Sequence, residues 1–151
     1  IDADIMVVNP DRLIEEYFDE DSDVFLYDRF FNWEIAAGSY IVRHSPTGLR
    51  FLREFADYES RLPNSRHGRD NGALNMMLLD WMLPPNASEI ALCRHLWELS
   101  SDKNGFYRFV ACARWAMGVY HFFRDNRLSI AHKGNGWARD IWLTSSGWSK
   151  E

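Results

Sequence analysis

The sequence predicts a mixed α/β domain, in which helices flank a sheet, from two observations. Segments 24–27 and 36–42 are short, rich in aromatic and β-branched residues and bounded by polar residues or glycine, as strands are. Ser45, followed by Pro46, and Asp70 each precede apolar residues at helical spacing, as helix caps do. Together these signals place the chain in the mixed α/β class.

The first part of the chain carries two weaker signals. Residues 4–8 form a short apolar run. Asn9 and Pro10 then supply a cap and a first-turn proline for a helix over 11–18, which the acidic cluster 19–21 ends.

The two helices that begin near Ser45 and Asp70 have inward faces set by the 3.6-residue period. Pro63 lies beyond the end of the first helix, and Pro84 with Pro85 ends the second. The apolar positions predicted to face the core are Leu49, Leu52, Phe55, Ala56 and Tyr58 in the first helix, and Leu74, Met77, Leu78 and Trp81 in the second.

The last part of the chain combines helices with a hairpin. Apolar spacing favours helices over 89–99 and 106–117. Segments 119–123 and 128–131 flank a polar turn and are predicted to pair as a terminal hairpin. A glycine-rich loop over 132–137 follows the hairpin.

The composition is that of a single folded domain over residues 1–151. Hydrophobic residues make up 46% of the chain, and no internal repeat is present. The chain has 17 Lys and Arg against 22 Asp and Glu, and a net charge of -5 argues against a nucleic-acid partner. No apolar run reaches the roughly 18 residues of a membrane-spanning helix.

Cys93 and Cys112 lie outside any Cys-x-x-Cys spacing, so neither a zinc site nor a redox pair is indicated. We expect two buried free thiols, with one disulfide as the alternative. Asn86 begins an Asn-Ala-Ser sequon, which weakly favours an exposed loop of a secreted chain.

Asp2 and Asp4 form the first candidate site. Alternate residues of a strand share a face, so both carboxylates could meet at the end of a strand. Two hard oxygen ligands suit Mg²⁺ or Mn²⁺ and, through the metal, a diphosphate. Solvated or capping carboxylates are the alternative, and Asp21 with Asp23 repeats the same spacing in an acidic loop.

The glycine-rich loop is a second candidate site. His132 is a ligand that Mn²⁺ accepts alongside oxygens, and Lys133 could balance phosphate charge. Gly134 and Gly136 would let backbone N–H groups approach an anion. The alternative is an ordinary loop with an exposed histidine and a packed Trp137. The other histidines lack comparable surroundings and are expected to be surface or half-buried polar groups: His44, His67, His95 and His121.

Two further segments place polar groups beside helix or strand signals. Asp70 and Asn71 open a helix, where a carboxylate and an amide can hold a sugar hydroxyl or stabilise a developing positive charge. Simple capping is the alternative. Gly38 and Ser39 lie in a predicted strand, where a glycine indicates the close approach of a ligand or backbone, or else a bulge.

In this order along the chain, the four motifs resemble those of a metal-dependent nucleotide-diphospho-sugar glycosyltransferase of the GT-A fold. The matching residues are Asp2-Ala3-Asp4, Ala37-Gly38-Ser39, Asp70-Asn71-Gly72-Ala73-Leu74 and His132-x-Gly134-x-x-Trp137. Segments 31–40 and 54–58 are similar to nematode-expanded transferases related to the galactosyl, mannosyl and xylosyl transferase group. The resemblance covers essentially the whole chain and implies the C-terminal part of a GT-A fold.

The resemblance implies a metal site and a catalytic pair. Asp2, Asp4 and His132 match the residues that hold Mn²⁺ (or Mg²⁺). Asp70 and Asn71 match the acid and amide beside the reacting sugar carbon, although related families often carry Gln at the second position.

The resemblance also implies two substrate-binding segments. Lys133, Gly134 and Gly136 match the loop that closes over the diphosphate, although the lysine of related families usually falls nearer the tryptophan. Gly38 and Ser39 match the strand that touches the donor sugar or the acceptor.

The implied reaction moves a hexose or pentose from a nucleotide-diphosphate sugar to a glycan or glycoprotein acceptor, with retention of configuration. Because Ile1 is not a Met and no strand precedes Asp2, we expect a single catalytic domain that is incomplete at its N-terminus and inactive by itself. The full-length form is expected to be a type II membrane protein of the Golgi or secretory lumen, with its anchor in the missing N-terminal part.

Other classes of protein share parts of this pattern. A haloacid dehalogenase-type phosphotransferase also carries Asp-x-Asp after a strand, but it needs Thr or Val where this chain has Met6. A catalytically degenerate transferase would bind its donor without turnover. A secreted carbohydrate-binding or interaction domain would use exposed indoles as stacking surfaces, and the candidates are Trp33, Trp137, Trp142 and Trp148.

Overall fold

The structure is a computed structural model that describes residues 9–29, 32–64, 69–118 and 121–137. Its strands and helices form a mixed sheet with helices packed against it, as the α/β prediction requires. Several sequence predictions lie outside the described residues, namely those for the apolar run 4–8, Asp2, Asp4, His67, Trp142 and Trp148.

The strands in the described residues are β1 (Val24–Tyr27), β2 (Ile41–Val42), β3 (Phe122–Phe123) and β4 (Leu128–Ala131). They form a sheet in the order β2-β1-β4-β3. β1 is antiparallel to β2 and parallel to β4, while β3 and β4 form an antiparallel hairpin. The predicted strand 24–27 is confirmed, as is the described part of the terminal hairpin.

The predicted strand over 36–42 is wrong for most of its length. Within this segment only the two residues of β2 pair as a strand. The backbone N–H of Ala37 donates instead to Asn71 Oδ1 at 2.7 Å. A tertiary hydrogen bond thus takes the place of a ladder bond, and local composition cannot show that exchange.

The α-helices in the described part of the chain are α1 (Pro46–Asp57), α2 (Arg69–Met82), α3 (Ser88–Glu98) and α4 (Lys103–Met117). Each predicted helix after residue 45 is present. Ser45 caps α1 by accepting the Gly48 N–H at 3.0 Å. Asp102 caps α4 through Gly105 at 2.7 Å, and α4 therefore begins earlier than apolar spacing indicated. Among the described helices, none is long and apolar enough to cross a membrane.

The inward face of α1 agrees with the prediction only in part: Phe55 packs against the core and Tyr58, just after the helix, is buried, as predicted. Phe51 is fully buried, whereas Leu52 is 40% exposed; Leu49 is only half-buried and Ala56 is exposed. The Phe51 ring lies edge-on to Tyr40 and to Trp81 of α2, with centroids 5.5 and 6.0 Å away. The aromatic residues of α1, rather than its leucines, reach these partners.

The predicted helix over 11–18 is wrong, because a 3₁₀ turn at Ile14–Tyr17 takes its place. Leu13 and Ile14 are 61% and 50% exposed. A short helix persists in a protein chiefly through the packing of an apolar face, and this segment buries little of its own.

The main core lies between the sheet and α2. Positions 72–79 of α2 are all buried, and strand residues from β1 and β4 pack with them. Trp97 of α3 stacks on Phe109 of α4 with ring centroids 5.4 Å apart, which completes the core.

Cys93 of α3 and Cys112 of α4 form a disulfide, with Cα atoms 5.6 Å apart. The expectation of two free thiols is therefore wrong. A separation of 19 positions says nothing about which faces of two neighbouring helices meet, and the packing of α3 on α4 brings these cysteines together.

Candidate functional site

Two predicted site segments meet where α2 begins. Asn71 Oδ1 accepts the Ala37 N–H at 2.7 Å. One turn further along, the amide of Asn75 donates to the Ile35 carbonyl at 3.2 Å. These bonds hold the backbone that carries Gly38 against the first turns of α2.

Asp70 lies beside this contact in the first turn of α2. The prediction that it caps the helix is wrong, because the helix begins at Arg69 and Asp70 is its second residue. Its Oδ1 accepts the N–H of Asn71 at 2.8 Å. Asp70 is exposed, so its carboxylate can also meet a ligand.

A third predicted segment joins through Ser39. Its hydroxyl is buried and accepts the indole N–H of Trp137 at 2.8 Å, across 98 positions of sequence. Tyr17 and Tyr27 pack edge-on against the Trp137 ring, with centroids 5.8 and 5.3 Å away. The Gly38 segment is therefore a neighbour of the glycine-rich loop.

This loop forms a tight turn. The N–H of Asn135 donates to the His132 carbonyl at 2.9 Å, and Gly134 has a φ of 80°, which favours glycine. A Cβ added at Gly136 would stand 2.7 Å from the Cβ of Tyr27. Close packing on β1 therefore favours glycine at position 136.

Lys133 of the loop lies over the ring of Trp33, with Nζ 3.7 Å from the ring centroid. Trp33 is 52% exposed and has a φ of 63°, a rare conformation for a bulky residue. Asn32 donates to the buried Glu34 at 2.9 Å, which supports this turn. The lysine is thus placed at the surface by a cation–π contact.

A buried polar group lies where β1 ends. The side chain of Asp28 is fully buried and accepts a hydrogen bond from Arg114 Nη2 of α4 at 3.2 Å. His121 Nδ1 lies 3.9 Å from the same carboxylate oxygen. Burial raises the pKa of the Asp28 carboxyl, against the attraction of the Arg114 guanidinium.

His121 connects this group to the glycine-rich loop. Its ring stacks on the ring of His132, with centroids 3.4 Å apart and an angle of 28° between the planes. His121 is half-buried, as expected, and the structure adds this ring contact, which the sequence did not indicate.

Sequence reasoning missed Asp28, Arg114 and His121. The contact between Arg114 and Asp28 spans 86 positions, and no local motif contains either residue. One usable signal was present, since Asp28 is a carboxylate directly after a fully buried strand.

The predicted metal ligands are only partly described. His132 is exposed after the end of β4, while Asp2 and Asp4 lie outside the described ranges. Within those ranges, no group of three or more His, Cys, Asp or Glu residues could hold a metal ion.

The fold and site define a mixed α/β domain in which an irregular segment contacts both the start of a helix and a glycine-rich loop. The chain belongs to the family described as "Protein of unknown function, DUF273", whose profile matches residues 1–151. Comparison with curated proteins and with solved structures finds no significant match.

Proposed function

We propose that this chain is the metal-dependent catalytic part of a GT-A glycosyltransferase. It moves a hexose or pentose from a nucleotide-diphosphate sugar to a glycan or glycoprotein acceptor, with retention of configuration. The Ser39–Trp137 hydrogen bond carries the most support, because it joins two motifs of the resemblance that lie 98 positions apart. The bond between Asn71 and Ala37 adds the third motif.

The metal ligands in this proposal are Asp2, Asp4 and His132. Two carboxylates and an imidazole are a donor set that Mn²⁺ accepts, and Mg²⁺ is the alternative. The His132 side chain is exposed, so a ring nitrogen is open to an ion. A metal bound there supplies Lewis acidity to the leaving diphosphate.

Lys133 and the loop backbone bind the diphosphate. The ammonium of Lys133 rests on Trp33 and can turn toward a phosphate on its flexible stem. No atom lies within 4 Å of the place where a Cβ of Gly134 would stand, which leaves room for an anion beside its backbone. Gly136 shapes the loop by packing on Tyr27.

Asp70 is the better candidate of the catalytic pair. Its exposed carboxylate can stabilise positive charge that develops on the sugar carbon. The side-chain oxygen of Asn71 is already bonded to the Ala37 N–H, so Asn71 chiefly holds the backbone before Gly38 in place. The two neighbours therefore differ in role.

The metal step is tested in the full-length protein by release of the nucleoside diphosphate from a panel of nucleotide-diphosphate sugars, with Mn²⁺ present. Asp4→Ala should abolish Mn²⁺-dependent hydrolysis and transfer. Asp21→Ala is the matched control, because Asp21 belongs to the second Asp-x-Asp triplet and is exposed. Unchanged turnover in Asp4→Ala would overturn the proposal.

Kinetic measurements test the different roles proposed for Asp70 and Asn71. Asp70→Asn should lower kcat with little change in the donor KM, because it removes a transition-state interaction. Asn71→Asp keeps an oxygen for the Ala37 N–H and should retain the fold and part of the activity. Full kcat in Asp70→Asn would assign the chemistry to another group.

The disulfide and the sequon support a place in the secretory lumen. Disulfides persist in oxidising compartments, and Cys93 is paired with Cys112. Asn86 is exposed in the turn between α2 and α3, where a glycan would meet no core residue. A type II anchor outside this sequence completes the proposed arrangement.

A carbohydrate-binding domain is the second candidate function. A cavity of about 240 Å³ on the face of β1 and β4 is lined by Tyr17 and Trp137 and by the polar Asp19 and Asn135. Aromatic and polar side chains together suit a sugar. Calorimetry with uridine or guanosine diphosphate-sugars, with and without Mn²⁺, separates the candidates, because a lectin-like domain should ignore the nucleotide.

A further inference from the structure

We propose that His121 is a positioning residue that sets the orientation of the His132 imidazole, with Asp28 and Arg114 supporting it from the core. The inference rests on the proposed function only in giving His132 a metal to hold. It adds three residues to the site that belong to none of the sequence motifs.

The His121 ring is anchored to β4. Its Nδ1 lies 2.9 Å from the Ile130 carbonyl oxygen, and the Ile130 N–H donates to the His121 carbonyl at 2.7 Å. A carbonyl oxygen can only accept, so Nδ1 of His121 carries the proton. This bond fixes both the tautomer and the plane of the ring.

Asp28 and Arg114 support His121 from behind. The side chain of Asp28 is 0% exposed, and that of Arg114 is 8% exposed. Asp28 Oδ1 and Arg114 Nη1 are buried, with no hydrogen-bond partner among the described residues. A buried ion pair with unused hydrogen-bonding atoms is a poor source of stability. Its position, with Oδ2 of Asp28 3.9 Å from His121 Nδ1, indicates a role at the site.

His132 depends on this arrangement. Its side chain is exposed in the turn after β4, and its ring stacks on that of His121 with centroids 3.4 Å apart. Hydrogen-bonded partners behind a metal-binding histidine typically change metal affinity about 10- to 100-fold when they are removed, and we expect a stacked ring to act near the lower end of that range. Here the supporting group is the stacked ring of His121, which is connected to α4 through Asp28.

The test uses the full-length protein and Mn²⁺ alone. His121→Asn keeps a donor near the Ile130 carbonyl but removes the ring, whereas His121→Phe keeps a ring and removes the donor. Asp28→Asn keeps the shape and removes the charge. His95→Asn on α3 is the matched control, because His95 is exposed and remote in sequence from the loop.

The two readouts are Mn²⁺ affinity by calorimetry and the His132 ring signals in protein with isotope-labelled histidine. His121→Asn should weaken Mn²⁺ binding about 10-fold or more and shift the His132 signals as the ring current is lost. His121→Phe and Asp28→Asn should lower affinity less, and His95→Asn should match the parent. All variants are compared at temperatures well below their unfolding midpoints.

Failure of this inference and failure of the proposed function give different results. His132 signals and Mn²⁺ affinity that stay at the parent values in His121→Asn overturn the positioning role, whether or not the protein is a transferase. A parent that binds no Mn²⁺ overturns the metal-dependent function, and the His132 signals still decide the positioning role. If His121→Asn does not fold, the same two readouts on His121→Phe and Asp28→Asn decide it.

Discussion

Trp137 donates its indole N–H to the buried hydroxyl of Ser39 at 2.8 Å. Ser39 belongs to the irregular segment before β2, and Trp137 ends the glycine-rich loop after β4. The bond therefore connects backbone held by α2 to the loop that carries His132 and Lys133. Most of the testable consequences follow from contacts of this kind between distant segments.

Replacing Trp137 by Phe should weaken this connection while keeping an aromatic ring at the position. The smaller ring keeps contact with Tyr17 and Tyr27 but cannot donate to Ser39. The free energy of unfolding should fall by about 1–3 kcal/mol, because a buried hydroxyl loses its partner. Urea unfolding of the full-length protein measures the change. Trp115→Phe is the control, since Trp115 is 72% exposed, and an equal loss in both variants would contradict the prediction.

Gly136→Ala should displace the loop. The new Cβ would stand 2.7 Å from the Cβ of Tyr27, an atom fixed to the backbone of β1. Overpacking of this kind costs about 1–3 kcal/mol, and we also expect a higher donor KM. Gly134→Asn is the matched control for stability, because asparagine tolerates a positive φ and no atom lies within 4 Å of that site. Unfolding midpoints that are equal in the two variants would show that the packing on Tyr27 is unimportant.

Removing the disulfide should destabilise the protein strongly. The bond closes a loop with a sequence separation of 19, and a loop of about this length contributes roughly 3 kcal/mol. A Cys93→Ala and Cys112→Ala double variant should lose that amount in urea unfolding. Reductant should lower the midpoint of the parent and leave the double variant unchanged. A parent insensitive to reductant would argue that the bond does not form.

Asp23 should give the protein a specific sensitivity to acid. Arg127 donates to its carboxylate oxygens at 2.9 and 3.2 Å, where the starts of β1 and β4 meet. This hydrogen bonding holds the pKa of Asp23 below its ordinary value of 3.8, although burial opposes the shift. Because the folded pKa lies below the unfolded one, the stabilisation is present at neutral pH and is lost as pH falls through the folded pKa.

The expected signature is a difference between parent and Asp23→Asn that depends on pH. The thermal midpoints should differ most at about pH 7 and converge below about pH 4. Asp125→Asn serves as the control, because Asp125 is exposed in the hairpin turn. A difference that stays constant across this range would mean that Asp23 acts through its shape rather than its charge.

Local patterns predicted much of the fold. The strand 24–27 and the cap of α1 at Ser45 were found because their signals lie within a few residues. The same patterns were wrong where a distant segment hydrogen-bonds to the backbone, and where packing decides which side of a helix faces the core. Residues 36–40 leave the strand because Ala37 bonds to Asn71, and α1 turns toward Trp81 through Phe51.

The candidate site was predictable in part for the same reason. His132, Lys133, Asp70 and Asn71 stand in short motifs whose chemistry is visible in the residue types. Asp28 carries no such motif, because its partners come from α4 and from the start of the terminal hairpin.

The sequence by itself determined where most helices and strands lie and which segments carry chemistry, because period, caps and residue type act over a few positions. Only the tertiary structure decided which segments meet: Ser39 with Trp137, Cys93 with Cys112, and Asp28 with Arg114 and His121. Such pairs join residues 19 to 98 positions apart. Their contacts depend on how helices and strands pack, and no single stretch of sequence contains that information.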